Sequence, residues 1–328
     1  MNYKALAKQA IKGKKLSFDE AMQLLKTSDD DTFEFLSAAN HIKRAFKGNK
    51  VKLCAIVNAK SGKCTENCSF CAQSAHHKAN SDIYPLMSDK KIFSAAKKSE
   101  EEMMATCFSI VTSGKSIIKK DELATIGTAI KNISKKTSLN RCVSMGTLSK
   151  KQIEELKAKG LKRLHHNLET AESFFGNICT THSYKERLDT IKEAKKAGLE
   201  ICSGGIFGLG ESLEQRLELA FTLRELEVES VPINILNPIK GTPAAKNYKP
   251  IKPFEVLRLI ATYRFLLPKA DIGVFGGREK ALRSLQPLMF IAGANVTLIG
   301  NYLTTKGRSP EKDLQMINEL GLKIDQDN

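Results

Sequence analysis

The sequence predicts an α/β fold, a (βα)8 barrel of the TIM type with an N-terminal helical extension. From residue 51 onward, eight short apolar runs rich in β-branched residues alternate with polar segments of helical periodicity. The 328 residues are enough for one barrel of this kind. A separate helical pattern fills residues 1–50. An open, doubly wound sheet is the alternative that the same alternation allows.

The eight runs are predicted to be strands because each is short, apolar and bounded by turn residues. They cover 53–57, 106–111, 140–145, 163–168, 200–207, 231–236, 271–275 and 295–299. Helical patterns lie near 89–104, 120–134, 149–159, 183–197, 212–226, 253–267, 279–292 and 309–320. Ser149, Ser183 and Ser212 stand at N-cap positions, which supports three of these helices.

The composition, with 41% hydrophobic and 27% charged residues, is that of a globular protein able to bury a core. The net charge of +16 admits a nucleic-acid partner. Lysines are nevertheless mixed with acids at helical spacing, as in KKSEEE, and the chain has no Trp, so we predict no nucleic-acid partner. Residues 1–30 lack an apolar leader and no long uncharged apolar segment follows, which predicts a cytoplasmic protein without a membrane partner.

Three of the eight cysteines form the stretch CTENCSFC, at Cys64, Cys68 and Cys71. Thiols stay reduced in the cytoplasm, so this cluster indicates metal or redox chemistry more than disulfides. Structural zinc takes four ligands, and His76 and His77 follow closely enough to complete such a site. Three thiolates with a vacant fourth position better suit a [4Fe-4S] cluster whose remaining iron binds another molecule.

The C-x3-C-x2-C spacing after the first predicted strand resembles that of the radical S-adenosylmethionine (SAM) superfamily. The resemblance implies that the open iron of the cluster binds SAM and that its reductive cleavage yields a 5′-deoxyadenosyl radical. Such a radical needs a closed cavity without water, which the mouth of a barrel provides. Phe70 matches the position at which an aromatic side chain lines the adenine in that superfamily.

Cys107, Cys142 and Cys202 each lie in a different predicted strand. Inward-pointing side chains of separate barrel strands converge on one interior volume, so these three thiols are predicted to hold a second metal site. The alternative is that each is a small buried apolar residue, the common fate of a lone cysteine.

The chain resembles the biotin synthase family over about residues 50–322. The segments that carry the resemblance include NAKSGKCTENCSFCAQS, FFGNICTTHSYKERLDT, CSGGIFGLGE, SVPINILNPIKGTP and MFIAGANVTLIGNYLTTKG. We therefore expect an N-terminal extension at 1–50, a barrel domain at 51–322 and a C-terminal tail at 323–328. The resemblance implies insertion of sulfur between two carbons of dethiobiotin, with two SAM molecules consumed per biotin. The sulfur would come from an auxiliary iron-sulfur cluster, [2Fe-2S] or another type, held by Cys107, Cys142 and Cys202.

The same resemblance assigns ligand contacts to four polar residues. Asn167 and Glu169 would hold the ribose of SAM, with Asn167 also near dethiobiotin, and Arg187 would pair with the SAM carboxylate. Asn234 would hydrogen-bond the ureido ring of dethiobiotin. Each has a simpler interpretation: strand-end hydrogen bonds for the asparagines, an exposed helix charge for Arg187 and a helix cap for Glu169. A flavodoxin or ferredoxin electron donor and a homodimer are further implications.

Two positions depart from the family pattern. Gly273 stands where many members have an arginine ligand of the auxiliary cluster, which leaves the fourth ligand and the iron count open; Arg278 is a nearby but disfavoured substitute. His165 stands where asparagine is frequent. Cys54 is interpreted as core, and Cys179 as a loop thiol without a redox role.

Two further functions stay open at this stage. One is another radical SAM enzyme of the same barrel family acting on a different small molecule, which Gly273 and His165 motivate. The other is a zinc-stabilised basic protein that binds nucleic acid, which the net charge of +16 motivates.

Overall fold

A computed structural model describes residues 1–117, 119–246 and 248–326. The strands are β1 (Lys50–Lys60), β2 (Cys107–Thr112), β3 (Asn140–Ser144), β4 (Arg163–His165), β5 (Glu200–Cys202), β6 (Gly205–Phe207), β7 (Ser230–Ile235), β8 (Asp271–Val274), β9 (Val296–Leu298) and β10 (Lys323–Ile324). The helices are α1 (Tyr3–Ile11), α2 (Phe18–Leu25), α3 (Thr32–Lys47), α4 (Asp89–Met103), α5 (Lys120–Lys136), α6 (Lys150–Ala158), α7 (Glu172–Phe175), α8 (Tyr184–Lys196), α9 (Leu213–Glu225), α10 (Pro253–Leu266), α11 (Arg278–Leu282), α12 (Leu288–Ile291) and α13 (Pro310–Glu319).

The parallel strands close into a barrel, because β1 pairs with β2 on one side and with β9 on the other. The order around the barrel is β1, β2, β3, β4, β5 with β6, β7, β8 and β9. Eight strand positions therefore surround the interior, and the predicted TIM-type barrel is confirmed. The open doubly wound sheet is excluded by the β1–β9 pairing.

The fifth predicted strand is interrupted, and this is the main difference in the sheet. β5 and β6 are separated at Ser203 and Gly204. A Cβ on Gly204 would lie 2.0 Å from the Pro232 carbonyl oxygen, so only glycine allows this close approach to β7.

The fourth strand is also shorter than predicted. The side-chain oxygen of Asn167 accepts a hydrogen bond from the Gly204 N–H at 3.2 Å, beyond the end of β4.

The outer helices follow the predicted pattern, apart from the additional short α7 and a divided helix near 279–292. Ser149, Ser183 and Ser212 are N-caps with complete capping boxes, as their positions predicted. The single helix expected at 279–292 is divided into α11 and α12. Arg283 has a φ of 51°, which ends α11, and Pro287 lacks the N–H that a continuous helix would need.

The three N-terminal helices pack on the outside of the barrel. α3 contacts α10 and α12, and α2 contacts α9 and α10. Phe35 on α3 stacks between Tyr3 and Phe265, with ring centroids 5.3 and 5.6 Å away.

At the other end of the chain, β10 pairs with the first two residues of β1. Residues 327–328 of the predicted tail lie outside the described residues. Within the described part of the chain, we find no helix with the length and apolarity to cross a membrane.

Lys43 is a buried charge where the N-terminal helices meet the barrel. It is 2% exposed, and its Nζ donates to the Phe290 carbonyl at 2.9 Å. Burial, followed by the charges of Arg264 and Arg44, lowers the pKa of Lys43 from 10.5 to about 8. As the pH rises, the native state therefore loses this proton at a lower pH than the unfolded state does. The free energy of unfolding should rise between pH 8 and 10.5, by about 3 kcal/mol in total.

The Lys43→Met variant tests this pH dependence. It keeps the length of the buried stem but has no proton to release, so its unfolding free energy should lack the rise above pH 8. Urea unfolding of both proteins at a series of pH values measures the difference between them. If both proteins gained stability in parallel, the rise would come from other groups.

Candidate active site

The interior of the barrel opens into two adjoining cavities, with volumes of about 300 and 240 Å³. We call the larger one the thiol cavity and the smaller one the loop cavity. The thiol cavity is lined from the strands by Cys54, Cys107, Cys142 and Cys202. The loop cavity is lined by Cys64, Cys68 and Cys71 of the segment that follows β1. Both cavities are bordered by Phe70, Cys71, His165, Asn167 and Glu169, so they share a wall.

The loop with three thiols is held in shape by its own backbone. The Cys64 N–H donates to the Gln73 carbonyl at 2.9 Å, and the Ala75 N–H returns a bond to the Cys64 carbonyl at 2.8 Å. The Ser69 N–H donates to the carbonyl of Ile178, in a distant segment, at 2.8 Å. The backbone thus points three thiols at one space before any ligand binds.

The two histidines after the loop do not complete a zinc site with it. The Nε2 atom of His76 lies 2.8 Å from the Thr65 carbonyl oxygen, and the Nε2 atom of His77 lies 3.0 Å from the Cys68 carbonyl oxygen. These rings therefore brace the loop backbone. The prediction that three thiols act without a histidine from this segment agrees with this geometry.

Arg187 is held in place by a chain of hydrogen bonds that sequence reasoning missed. Its Nε donates to Nε2 of His182 at 3.0 Å, and Nδ1 of His182 donates to the Glu66 carboxylate at 2.5 Å. Its Nη1 donates to the Asn167 carbonyl at 2.7 Å. Arg187 is thus a positioned guanidinium that borders the loop cavity, and the interpretation as an exposed helix charge is wrong.

Cys179, predicted to be a loop thiol without a redox role, does lie in a loop and stands beside this chain of hydrogen bonds, a contact that the sequence did not indicate. Its Sγ is 3.7 Å from Sγ of Cys68 and 3.3 Å from Nδ1 of His182. The hydrogen bond from Cys68, followed by those from His182 and Thr181, lowers the pKa of Cys179 to about 3 against the effect of burial. The spacing of Cys179 and His182, three residues apart, is the one sequence signal that could have indicated this pair.

Asn167 and Glu169 lie at the wall between the cavities. The Asn167 Nδ2 donates to the Glu169 carboxylate at 3.3 Å, so the two side chains form one polar unit. Glu169 has a φ of 70°, an uncommon conformation for a residue with a side chain. Burial raises the pKa of Glu169 against the opposing charge of Arg187. Glu169 caps no helix, so that simpler interpretation is wrong; the strand-end bond of Asn167 exists alongside its place in the cavity.

The three strand cysteines do converge, as the barrel geometry predicted. Cys107 and Cys142 pack in one cluster with Phe275, Val296 and Leu298, and Cys202 borders the same cavity. All three are buried. Cys54, interpreted from the sequence as core, is buried and packs in this cluster, and it also borders the cavity, which the sequence did not indicate.

One cation faces the strand thiols. Arg163 on β4 borders the thiol cavity, and its Nε and Nη2 donate to the Glu200 carboxylate at 2.9 and 2.7 Å. Burial alone would lower the pKa of Arg163, but the thiols of Cys107 and Cys202 and the Glu200 carboxylate raise it well above its ordinary value. The cavity wall therefore carries a permanent positive charge, which favours deprotonated thiols.

Two family models match this chain. The family model "Radical SAM superfamily" matches residues 59–223, and "Biotin and Thiamin Synthesis associated domain" matches residues 232–323. The chain is 49% identical to biotin synthase of Geobacter sulfurreducens, covering 100% of this chain and 99% of that protein. It is 48% identical to biotin synthase of Clostridium acetobutylicum, covering 98% of each.

The chain belongs to the biotin synthase family. Solved structures at lower identity support the fold alone. Methylornithine synthase (PylB) superposes with a TM-score of 0.85 at 18% identity, covering 98% of this chain and 97% of that one. HydG, a maturase of the [FeFe]-hydrogenase, superposes with a TM-score of 0.84 at 18% identity, covering 100% of this chain and 76% of that one.

Family membership brings a [4Fe-4S] cluster, SAM and an auxiliary iron-sulfur cluster. The donor sets of this chain fit both clusters, because each cavity presents several thiols, the ligands that iron-sulfur clusters take. The buried Nε2 of His166, which has no hydrogen-bond partner, borders the loop cavity and leaves a polar group free for a ligand there.

The two departures from the family pattern have structural consequences. A Cβ on Gly273 would lie 2.6 Å from Cε1 of Phe275, so the Phe275 ring fills the space that a larger residue at 273 would use. Arg278 is 1% exposed and pairs with Asp313 at 2.5 Å, so its guanidinium is committed to a buried ion pair. His165 borders both cavities, and burial lowers its pKa, so the neutral imidazole faces the ligand space.

Proposed function

We propose that this chain forms biotin by inserting sulfur into dethiobiotin, using radicals made from SAM and sulfur from the auxiliary cluster. The observation that carries the proposal is the shared wall between the loop cavity and the thiol cavity. A substrate at that wall is exposed to radical chemistry from one side and to a sulfur donor from the other. The relatives named biotin synthase, which match over the full chain, support the same function. No observation favours another substrate.

Different residues around the loop cavity would bind the [4Fe-4S] cluster and SAM. Cys64, Cys68 and Cys71 would hold three irons of the cluster. Arg187, which presents a planar guanidinium, would pair with the SAM carboxylate. The unit of Asn167 and Glu169 would hold the ribose, because a buried carboxylate is a strong acceptor for hydroxyl groups.

When bound, the [4Fe-4S] cluster supplies the electron whose transfer to SAM yields the radical that removes hydrogen from carbon. The chain's own residues keep that chemistry in place. Phe70 borders both cavities and would cover the adenine with an apolar face. Apolar side chains such as Ile206 and Leu236 border the thiol cavity and exclude water from the reacting carbon.

Asn234 would orient dethiobiotin in the thiol cavity. Its Oδ1 accepts from the Gly276 N–H at 3.0 Å, and its Nδ2 donates to the Gly205 carbonyl at 3.3 Å. The strand-end bonds expected for this residue are therefore present and fix its rotamer. The amide still has one N–H and one lone pair left, which suit the carbonyl and N–H of a ureido ring. Asn167 would lie near the same substrate from across the cavity.

The auxiliary cluster would be held by Cys107, Cys142 and Cys202, which thereby take part in catalysis as the ligands of the sulfur donor. A small flavodoxin or ferredoxin would deliver the electrons, and the protein would act as a cytoplasmic homodimer. The barrel domain at 51–322 would carry all the chemistry, with the extension at 1–50 supporting it from outside. The described part of the tail at 323–328 adds the short β10 pairing and an ion pair between Asp325 and Lys50.

An anaerobic reaction tests the proposal. Reconstituted protein is mixed with SAM, dethiobiotin and a strong reductant, and 5′-deoxyadenosine and biotin are quantified by mass spectrometry. We expect both products in a ratio of about two to one, since each of two C–H bonds needs its own radical. Deoxyadenosine without biotin would contradict the assignment of the substrate.

His182→Ala should weaken SAM binding through Arg187. Without the imidazole, the Arg187 guanidinium loses its acceptor at 3.0 Å and is less firmly oriented toward the carboxylate. We expect the KM for SAM to rise by about tenfold, or ~1.4 kcal/mol, with a smaller change in kcat. Steady-state deoxyadenosine formation at varied SAM concentration measures both constants.

Lys185→Ala is the matched control, because Lys185 lies on the same helix as Arg187 and pairs with the exposed Asp189 at 2.6 Å. It should leave both constants unchanged. The comparison requires equal iron content in His182→Ala and the wild type. His182 contacts Cys179, and Cys179 lies beside the proposed cluster ligand Cys68. An unchanged KM at equal iron content would show that Glu66 and His182 do not position Arg187.

A further inference from the structure

Cys54 faces the thiol cavity from β1, directly beside Cys107. The two residues are partners in the parallel register of β1 and β2. Partners on neighbouring strands lie about 4.8 Å apart, and two side chains that face the same side are therefore in contact. Cys54 and Cys107 also pack in the same cluster and line the same cavity. Cys54 therefore belongs to the same group of thiols as Cys107, Cys142 and Cys202.

The composition of this group sets it apart from the barrel core. Cys54, Cys107 and Cys142 pack together with only three other buried residues, in a cluster separate from the main core. All of the strand cysteines border one cavity of about 300 Å³. Four thiols around one space are the usual protein ligand set of an iron-sulfur cluster.

The side of the cavity at β8 offers no ligand. Gly273 has no side chain, and the Phe275 ring occupies the space in front of it, with Cε1 2.6 Å from a Cβ placed there. Arg278 is committed to Asp313 and Gln286, at 2.5 and 2.6 Å. A fourth ligand must therefore come from another strand.

Arg163 borders the cavity but is poorly suited to bind iron. An iron ligand needs a free lone pair, and a guanidinium has none while it is protonated. Its Nε and Nη2 both donate to Glu200, and it remains charged between that carboxylate and the thiols. Its cationic group instead compensates the charge of thiolates around it.

We propose that Cys54 is the fourth protein ligand of the auxiliary cluster, in the role that a side chain at 273 would otherwise take. This inference rests on the proposed function, since it assumes an auxiliary cluster in the thiol cavity. Cys54 lies on β1, next to Cys107 on β2. Cys202, on β5, lies at the other end of this row of strand cysteines. The cluster is then bound by four thiolates, and Arg163 offsets one of their negative charges.

The test isolates the auxiliary site in a Cys64→Ala/Cys68→Ala/Cys71→Ala background. After anaerobic reconstitution and removal of loose iron, iron and sulfide are counted, and absorption and electron paramagnetic resonance (EPR) spectra are recorded. Adding Cys54→Ala should lower the iron and sulfide content below that of the background and change the EPR signal, because one iron has lost its thiolate. Cys54→Ser, which keeps the side-chain size but offers oxygen in place of sulfur, should change the EPR signal as well.

Ile56→Ala is the matched control, since Ile56 lies two residues further along β1 and borders the same cavity. It should retain the iron, sulfide and spectra of the background. Identical iron content and spectra in the Cys54 variants and the background would overturn the inference. A background protein that holds no cluster at all, with Cys54 present, would instead contradict the proposed function.

A second measurement covers the case in which Cys54→Ala fails to fold. Methyl methanethiosulfonate, a small thiol reagent, is applied anaerobically to background protein with and without its cluster, followed by peptide mass spectrometry. We expect Cys54 to be modified in the apoprotein and protected in the loaded protein, in step with Cys107. Equal modification of Cys54 in both states, with Cys107 protected, would overturn the inference.

Discussion

Cys202→Ala should abolish biotin formation while leaving the reductive cleavage of SAM intact. Cys202 is buried at the end of β5 and borders the thiol cavity, whereas it does not border the loop cavity. Removing its thiol takes one ligand from the sulfur donor but none from the groups proposed to bind SAM. We expect biotin to fall by about a hundredfold or more, or ~2.7 kcal/mol in the barrier. Deoxyadenosine formed without dethiobiotin should stay within about twofold of the wild type.

Mass spectrometry of both products from one anaerobic reaction measures this separation. The truncation of one buried thiol to alanine costs about 1 kcal/mol of stability, so the barrel should still fold. Thermal unfolding of the apoprotein provides the control. Biotin at normal yield from Cys202→Ala would show that this thiol is not a ligand of the sulfur donor.

Cys64→Ala should eliminate both products. Cys64 borders the loop cavity, and its backbone is tied to Gln73 and Ala75 on both sides, so the neighbouring loop keeps its shape in the variant. With two thiols left, the [4Fe-4S] cluster loses one of its three protein ligands. We expect deoxyadenosine to fall by about a thousandfold or more, or ~4 kcal/mol, and biotin to fall with it.

Iron counting distinguishes this variant from Cys202→Ala. Cys64→Ala should lose the iron of the SAM-binding cluster and keep that of the auxiliary cluster, and the Cys202 variant should show the reverse. Their EPR spectra should therefore add up to that of the wild type. If Cys64→Ala cleaved SAM at the normal rate, the three-thiol loop would not be the site of radical formation.

Much of the fold followed from patterns within the chain. The alternation of apolar runs and helical segments predicted all eight strand positions, and three serines predicted their helix starts, because these signals are local. One error has a distant cause and the other a local one that the pattern did not reveal. The fifth strand breaks at Gly204 because β7 approaches too closely, and the helix near 279–292 breaks at Arg283 and Pro287.

The active site shows the same contrast between local signals and distant contacts. The three thiols at Cys64, Cys68 and Cys71 were recognisable because a cluster-binding loop needs its ligands within a few residues. Arg187 was recognisable only through the family resemblance. Its supports, His182 and Glu66, are 116 residues apart in the chain, and no local pattern links them.

The sequence by itself determined a barrel with a three-thiol loop after its first strand and cysteines on separate strands. It could not determine that Cys54 faces the same cavity as Cys107, Cys142 and Cys202. That grouping depends on the register between β1 and β2 and on closure of the barrel through β9. A shift of one residue in that register would turn Cys54 to the opposite face, so only the tertiary structure decided which thiols meet.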